Sequence, residues 1–169
     1  SKDKIYRAVE EANRTIQREA AARGFRGAGT TVVVLVLDAC DPSRAAAFHA
    51  GDSRLYRFRK GKIEQITRDH SFAAAVGYRD ASKLPSLFRN LVTRAIGLDD
   101  FVDMEETNFE LQPRDILLLC SDGLTNMLSD ERIASVFGSP PADVLERIPN
   151  ILIEQANLAG GSDNISVIV

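Results

Sequence analysis

Ile5, Val9, Ala12 and Ile16 recur at spacings of four, three and four, with polar residues on the opposite face. That stripe predicts an amphipathic helix over residues 3–22. "RGFRGAG" (residues 23–29) breaks it with three glycines, and "TTVVVLVLD" (Thr30 to Asp38) is almost solidly β-branched and apolar. An uninterrupted run of this kind predicts a strand covered on both faces. "DPSR" reads as a turn, and "AAAFHAG" and "RLYRFRKGKIEQI" read as strands, the latter folded back on itself at "KGK". Over residues 71–97 the periodicity is lost to Gly77, Pro85 and "YRDASK", so short helices and loop are expected.

Downstream, "VDMEETNFEL" alternates as a half-exposed strand does, and "RDILLLC" is its more buried neighbour. Ser129 caps a short helix in "SDERIASVF". "SPPADVLERIPNILIEQANLAGG" predicts a longer helix with a proline pair at its start, a kink at Pro149 and an end at Gly160–Gly161. "ISVIV" closes on a strand. Strand pairs joined by short turns, with helices grouped between them, predict an α+β fold with mostly antiparallel sheets. No repeat or linker divides the 169 residues, so residues 1–169 read as one domain.

Composition narrows the partners. A net charge of −3 gives no broad cationic field for nucleic acid or an anionic membrane, and no apolar run approaches spanning length. The basic cluster "RLYRFRKGK" suits the outer face of a hairpin. Cys40 and Cys120 each follow an apolar run and read as buried free thiols of a reducing cytosol. His49 reads as a core or sheet-face residue, and His70 as a loop residue with local hydrogen bonds.

The candidate chemistry lies in three aspartates. "LLLCSDG" ends a buried run at Asp122, "AAAFHAGDSR" ends one at Asp52, and "LAGGSDNISVIV" sets Asp163 and Asn164 before a strand. Carboxylates at strand ends can converge, and three together repel one another unless a counter-charge is present. A hard divalent cation, Mg²⁺ or Mn²⁺, suits such an all-oxygen site. Gly51, Gly123 and Gly161 would admit close backbone approach, and Asn164 would orient an adjacent carboxylate or water. Taken singly, each aspartate reads as a turn or cap residue.

"GAGTT", "HAGDSRLYRF", "QITRDHS", "LVTRAIG", "DILLLCSDGLTNMLSDE" and "GGSDNISVIV" occur in the order and approximate spacing of a known family. From about Gly27 to Val169 the chain resembles the metal-dependent (PPM, or type 2C) serine/threonine protein phosphatases, in a bacterial version. The resemblance implies two packed antiparallel sheets flanked by helices, a four-layer α-β-β-α sandwich, with a two-metal Mn²⁺ or Mg²⁺ centre. It implies that Asp122 and Asp163 ligate one metal of that centre and that Asp52 helps hold a third, weaker ion. Ser121, Gly123, Asn164 and Gly51 then stand beside the metals. Residues 72–92 match a mobile flap, and Arg79, Lys83 and, just beyond that span, Arg94 are its implied substrate-side residues. The implied reaction is hydrolysis of phosphoserine and phosphothreonine by a metal-activated water, and neither cysteine is needed.

The implied partners are a bacterial serine/threonine kinase and its phosphoprotein substrates in the cytoplasm. The family's Asp-Gly-x-Gly-Gly segment and phosphate-gripping arginine belong upstream of the first helix. Both are absent from these residues, as are the edge strands around them. The expectation is therefore a phosphatase domain truncated at its N-terminus and inactive by itself. The alternative is a phosphatase-like binding or regulatory module.

Overall fold

The computed structural model describes residues 2–78, 84, 85, 88, 91–138 and 142–169. These divide into two compact units. Ser1–Val34, Phe48–Asp52 and Asp69–Glu106 form the first, and Leu35–Ala47, Ser53–Arg68 and Thr107–Val169 the second. Among the described residues the strands form two antiparallel sheets with flanking helices. One has the order β1-β2-β5, from Val32–Leu37, Arg44–Ala50 and Glu105–Glu110. The other has the order β4-β3-β6-β7, from Lys62–Gln65, Arg54–Arg59, Ile116–Cys120 and Val167–Ile168.

In the first unit, helix α1 (Lys2–Ala22) forms where the apolar stripe predicts it and buries Val9, Asn13 and Ala20. Tyr6 meets Phe48 edge-on at 6.0 Å, and Lys2 pairs with Glu106 at 2.7 Å. Asn13 is fully buried on this face. Its Nδ2 donates to the Asp99 carbonyl at 2.8 Å, while its Oδ1 accepts from the Gly97 N–H. One polar side chain thus satisfies two backbone groups of the 97–99 loop. Phe72–Ala75 forms the short helix α2, with Ser71 accepting from the Ala74 amide as N-cap.

In the second unit, β3 and β4 form a hairpin with Arg59 opposite Lys62. Lys60 and Gly61, at φ 49° and 79°, make the two-residue turn, and two positive φ values are what a type I′ hairpin needs. Strand β6 pairs with β3 from Arg54↔Cys120 to Phe58↔Ile116 and with β7 on its other edge. Period-two alternation sends Tyr56, Leu118 and Cys120 into a core with Leu124, Ile133, Phe137, Ile148 and Leu152. Phe58 stacks on Phe137 at 5.3 Å. Three helices follow β6: α3 (Asp122–Thr125), α4 (Asp130–Phe137) and α5 (Ile148–Leu158). Ser129 caps α4 by accepting from the Arg132 amide, as the sequence predicts.

Four expectations change. Strand β1 is half-buried, with Leu37 58% exposed, because it lies at the end of its sheet instead of inside it. Strands β5 and β6, adjacent along the chain, belong to different sheets. The predicted kinked helix is two elements, a 3₁₀ helix at Ala142–Arg147 and then α5, with Pro149 in the first turn of α5. Proline lacks an N–H that the first turn does not require, so it starts a helix better than it bends one. The proline pair Pro140–Pro141 lies outside the described residues. Finally, Cys120 is buried but Cys40 is exposed. The Asp38 carboxylate accepts from the Cys40 amide and holds residue 40 in the turn before β2.

Removing the Asn13 side chain should be costly. Asn13→Ala leaves the Gly97 N–H without its acceptor, while the Asp99 carbonyl keeps its bond from Gln17, and an unsatisfied buried group costs about 1–3 kcal/mol. The expected outcome is a lower urea midpoint with an unchanged denaturant slope.

Candidate functional site

In the second unit, β6 delivers the chain to Ser121, whose extended backbone (φ −77°, ψ 166°) turns it into α3 at Asp122. Ser121 fastens this corner to the segment that carries Asp163. Its N–H donates to the Ser166 carbonyl at 3.1 Å, and its Oγ accepts from the Ser166 N–H at 3.0 Å. The same hydroxyl donates to the Asn164 carbonyl at 3.2 Å. Gly123 faces that carbonyl so closely that a Cβ there would meet it well under 3.0 Å. "SDG" and "SDNIS", more than 40 residues apart, therefore touch through their backbones.

Both carboxylates are oriented. Asp122 Oδ2 accepts from Asn126 Nδ2 at 3.1 Å, and Asp163 Oδ1 accepts from the Asn164 N–H at 2.7 Å. A carboxylate offers about four lone-pair sites, so each of these bonds orients the group and leaves acceptor capacity for a hard cation. Asn164 does this through its main-chain N–H. Gly161, at φ +52°, closes α5 by donating to the Ala156 carbonyl.

Arg54 and Tyr56 support the start of α4. Arg54 Nη1 donates to the Tyr56 hydroxyl at 2.7 Å, and that hydroxyl donates to Asp130 Oδ1 at 2.9 Å. Burial pushes the Tyr56 phenol well above its usual range.

In the first unit, Asp52 follows Gly51 at the end of β2. Gly51 has φ +118°, and the Thr31 side chain occupies the space a Cβ would need. His70 binds both polar groups of this glycine. Its N–H donates to the Gly51 carbonyl at 2.9 Å, and its Nδ1 accepts from the Gly51 N–H at 3.3 Å. The other ring nitrogen lies 3.2 Å from Glu105 Oε2 and 3.2 Å from Arg94 Nη1. With Nδ1 acting as acceptor, the neutral ring carries its proton on Nε2 and donates to Glu105. Burial is the largest influence on His70 and lowers its pKa below 6.5, against the opposing hydrogen bond to Glu105.

His49, fully buried, stacks on His70 with centroids 4.4 Å apart and planes 13° apart. Donor atoms of His49, His70 and Glu105 lie within 4.8 Å of one another. Imidazole lone pairs lie in the ring plane, however, and planes this nearly parallel do not meet within the ~2 Å reach of a metal–nitrogen bond. Both histidines would serve one cation only after a ring had turned.

Arg94 pairs with Asp103 at 3.1 Å and lies 4.0 Å from Glu105, which makes it part of an ion-pair cluster. Arg79 and Lys83 fall outside the described residues. The sequence reading missed the reach of His70, whose partners Gly51 and Glu105 are 19 and 35 positions away. The available signal was a histidine beside each of two motifs, "HAGDSR" and "TRDHS".

Residues 1–156 match the family described as protein phosphatase 2C. The chain belongs to that family. Protein phosphatase PhpP of Streptococcus pneumoniae is 36% identical over 168 residues, which cover 94% of this chain and 64% of PhpP. Among solved structures, the serine/threonine phosphatase of S. agalactiae superposes with a TM-score of 0.85 at 31% identity, covering 98% of this chain and 68% of that one. The catalytic domain of the serine/threonine phosphatase PstP, solved in complex with two manganese ions, has a TM-score of 0.79 at 31% identity, with coverages of 98% and 68%. The chain spans about two thirds of the length of the curated relatives it matches. These relatives are phosphatases by name, which does not favour the reading as a phosphatase-like binding module.

Two outcomes test this geometry. Gly123→Ala would drive a methyl group into the Asn164 carbonyl, so the two acidic segments should separate at a cost of about 1–3 kcal/mol in unfolding free energy. His70 has a folded pKa below 6.5, so the unfolded chain takes up its proton first as pH falls. Stability should accordingly decline as pH drops below about 6.5, and His70→Asn should flatten that decline in pH-dependent melts.

Proposed function

We propose that the protein carrying this chain is a bacterial metal-dependent phosphatase that hydrolyses phosphoserine and phosphothreonine in proteins. Asp122 and Asp163 hold a divalent ion, Mn²⁺ or Mg²⁺, and Asp52 helps hold a further, weaker one. The observation that carries this reading is the fastening of "SDG" to "SDNIS" by Ser121, which sets two oriented carboxylates on touching segments. The donor set fits: all-oxygen ligation suits a hard cation, and the hydrogen bonds that hold the two carboxylates come from an asparagine side chain and a backbone amide.

When bound, such ions supply an activated water and positive charge for the phosphoryl oxygens. The chain's own residues orient the ligands. Asn126 aims Asp122, the Asn164 N–H aims Asp163, and the missing side chain of Gly123 lets the two segments approach. On this reading Arg79 and Lys83, which lie outside the described residues, are candidate substrate contacts. Substrates are phosphoproteins, and the opposing enzyme is a serine/threonine kinase. The setting is cytoplasmic signalling. Among the described residues no helix is long and apolar enough to cross a membrane.

The 169 residues contain no Asp-Gly-x-Gly-Gly segment. By themselves they should bind at most one ion, weakly, and turn over little phosphoester. Robust Mn²⁺-dependent hydrolysis of an aryl phosphate by this polypeptide would contradict that. In the whole protein, Asp122→Asn and Asp163→Asn should each lower phosphopeptide hydrolysis by roughly 100-fold or more, above the range typical of groups that only support a ligand. Mn²⁺ titration should show the matching loss of affinity. Retention of both activity and Mn²⁺ binding in either variant would remove that aspartate from the site.

A further inference from the structure

The two polar groups of Gly51 are both taken by one residue. The His70 N–H binds the Gly51 carbonyl, and His70 Nδ1 receives the Gly51 N–H. Only glycine suits position 51, since its φ of +118° is open mainly to glycine and the Thr31 side chain fills the space beside its Cα, and so permissive a backbone takes its direction from the groups that bind it. The imidazole is fixed in turn. His49 covers one face, Glu105 stands 3.2 Å from Nε2, and Arg94, tied to Asp103, lies against the same nitrogen. His70 is buried, so this ring is a built part of the unit and not a surface contact. The residue directly after the gripped glycine is Asp52.

We propose that His70 is a positioning residue for Asp52: by holding Gly51 at both its N–H and its carbonyl, it presets the direction of the Asp52 carboxylate toward a divalent cation. The inference rests on the reading of Asp52 as a metal-holding residue. It assigns the metal-facing role to Asp52 alone, because the stacked rings of His49 and His70 do not aim at a common point. Groups that orient a ligand typically change metal affinity 10–100-fold when removed.

Two isosteric substitutions separate gripping from packing. In His70→Asn the side-chain oxygen falls near the place of Nδ1, so the Gly51 N–H keeps an acceptor while the link to Glu105 is lost. In His70→Gln the terminal amide falls near the place of Nε2, so the link to Glu105 is kept and the Gly51 acceptor is lost. Mn²⁺ affinity, the exchange rate of the Gly51 amide hydrogen and the melting temperature would be measured on the whole protein for both variants and for Asp52→Asn.

His70→Gln should weaken Mn²⁺ binding at the site sensitive to Asp52→Asn by about tenfold or more and should speed Gly51 exchange. His70→Asn should stay within about threefold of the starting protein in both readouts. A packing role alone would make the two variants alike, and that result overturns the proposal. If Asp52→Asn weakens Mn²⁺ binding and His70→Gln does not, the positioning role falls and the reading of Asp52 stands. If Asp52→Asn leaves Mn²⁺ affinity unchanged, the reading of Asp52 fails and the positioning role falls with it.

Discussion

A serine hydroxyl and its own amide tie together two stretches of chain that each bear a carboxylate, and the chemistry of the second unit depends on that tie. Ser121 gives and receives three hydrogen bonds to the 164–166 segment. Like charges brought onto touching segments repel, so the backbone must hold them there. The surroundings agree with this demand. Gly123 removes the one side chain that would separate the segments, and Asn126 and the Asn164 amide each direct one carboxylate. The packed core of Tyr56, Leu118, Leu124 and Leu152 supplies the rigid base from which this corner projects.

The first unit solves a related problem differently. There a single glycine at positive φ precedes the aspartate, and a buried histidine holds that glycine by both its polar groups. The supporting shell of Glu105, Arg94 and Asp103 is charged, and burial keeps the imidazole neutral within it. A neutral ring can accept from a backbone N–H on one side and donate to a carboxylate on the other, which an imidazolium cannot do.

Much of this was legible in the residues. The stripe Ile5–Val9–Ala12–Ile16 located α1, the serine before "DERIASVF" located the cap of α4, and "KGK" located the hairpin turn. These signals are local, since propensity, capping and turn chemistry act over a few residues. Position at strand ends singles out the aspartates as candidates, but it does not reveal what contacts them. Asn164 acts through its main chain, and His70 reaches across 35 positions to Glu105, distances no periodicity encodes. Pro149 misled for a physical reason: its cost inside a helix vanishes in the first turn, and the sequence alone does not say which turn it occupies. Cys40 misled because an apolar run precedes it, although Asp38 draws it into an exposed turn.

The doubly bonded Tyr56 phenol has a consequence of its own. Its proton sits between Arg54 and Asp130 in the interior, and burial resists the phenolate. An unfolded tyrosine has no such protection and ionises near pH 10. Above that value the opened chain releases a proton that the closed form keeps, and mass action then favours opening. Alkali thus acts on this domain as a denaturant with a known address in the second unit.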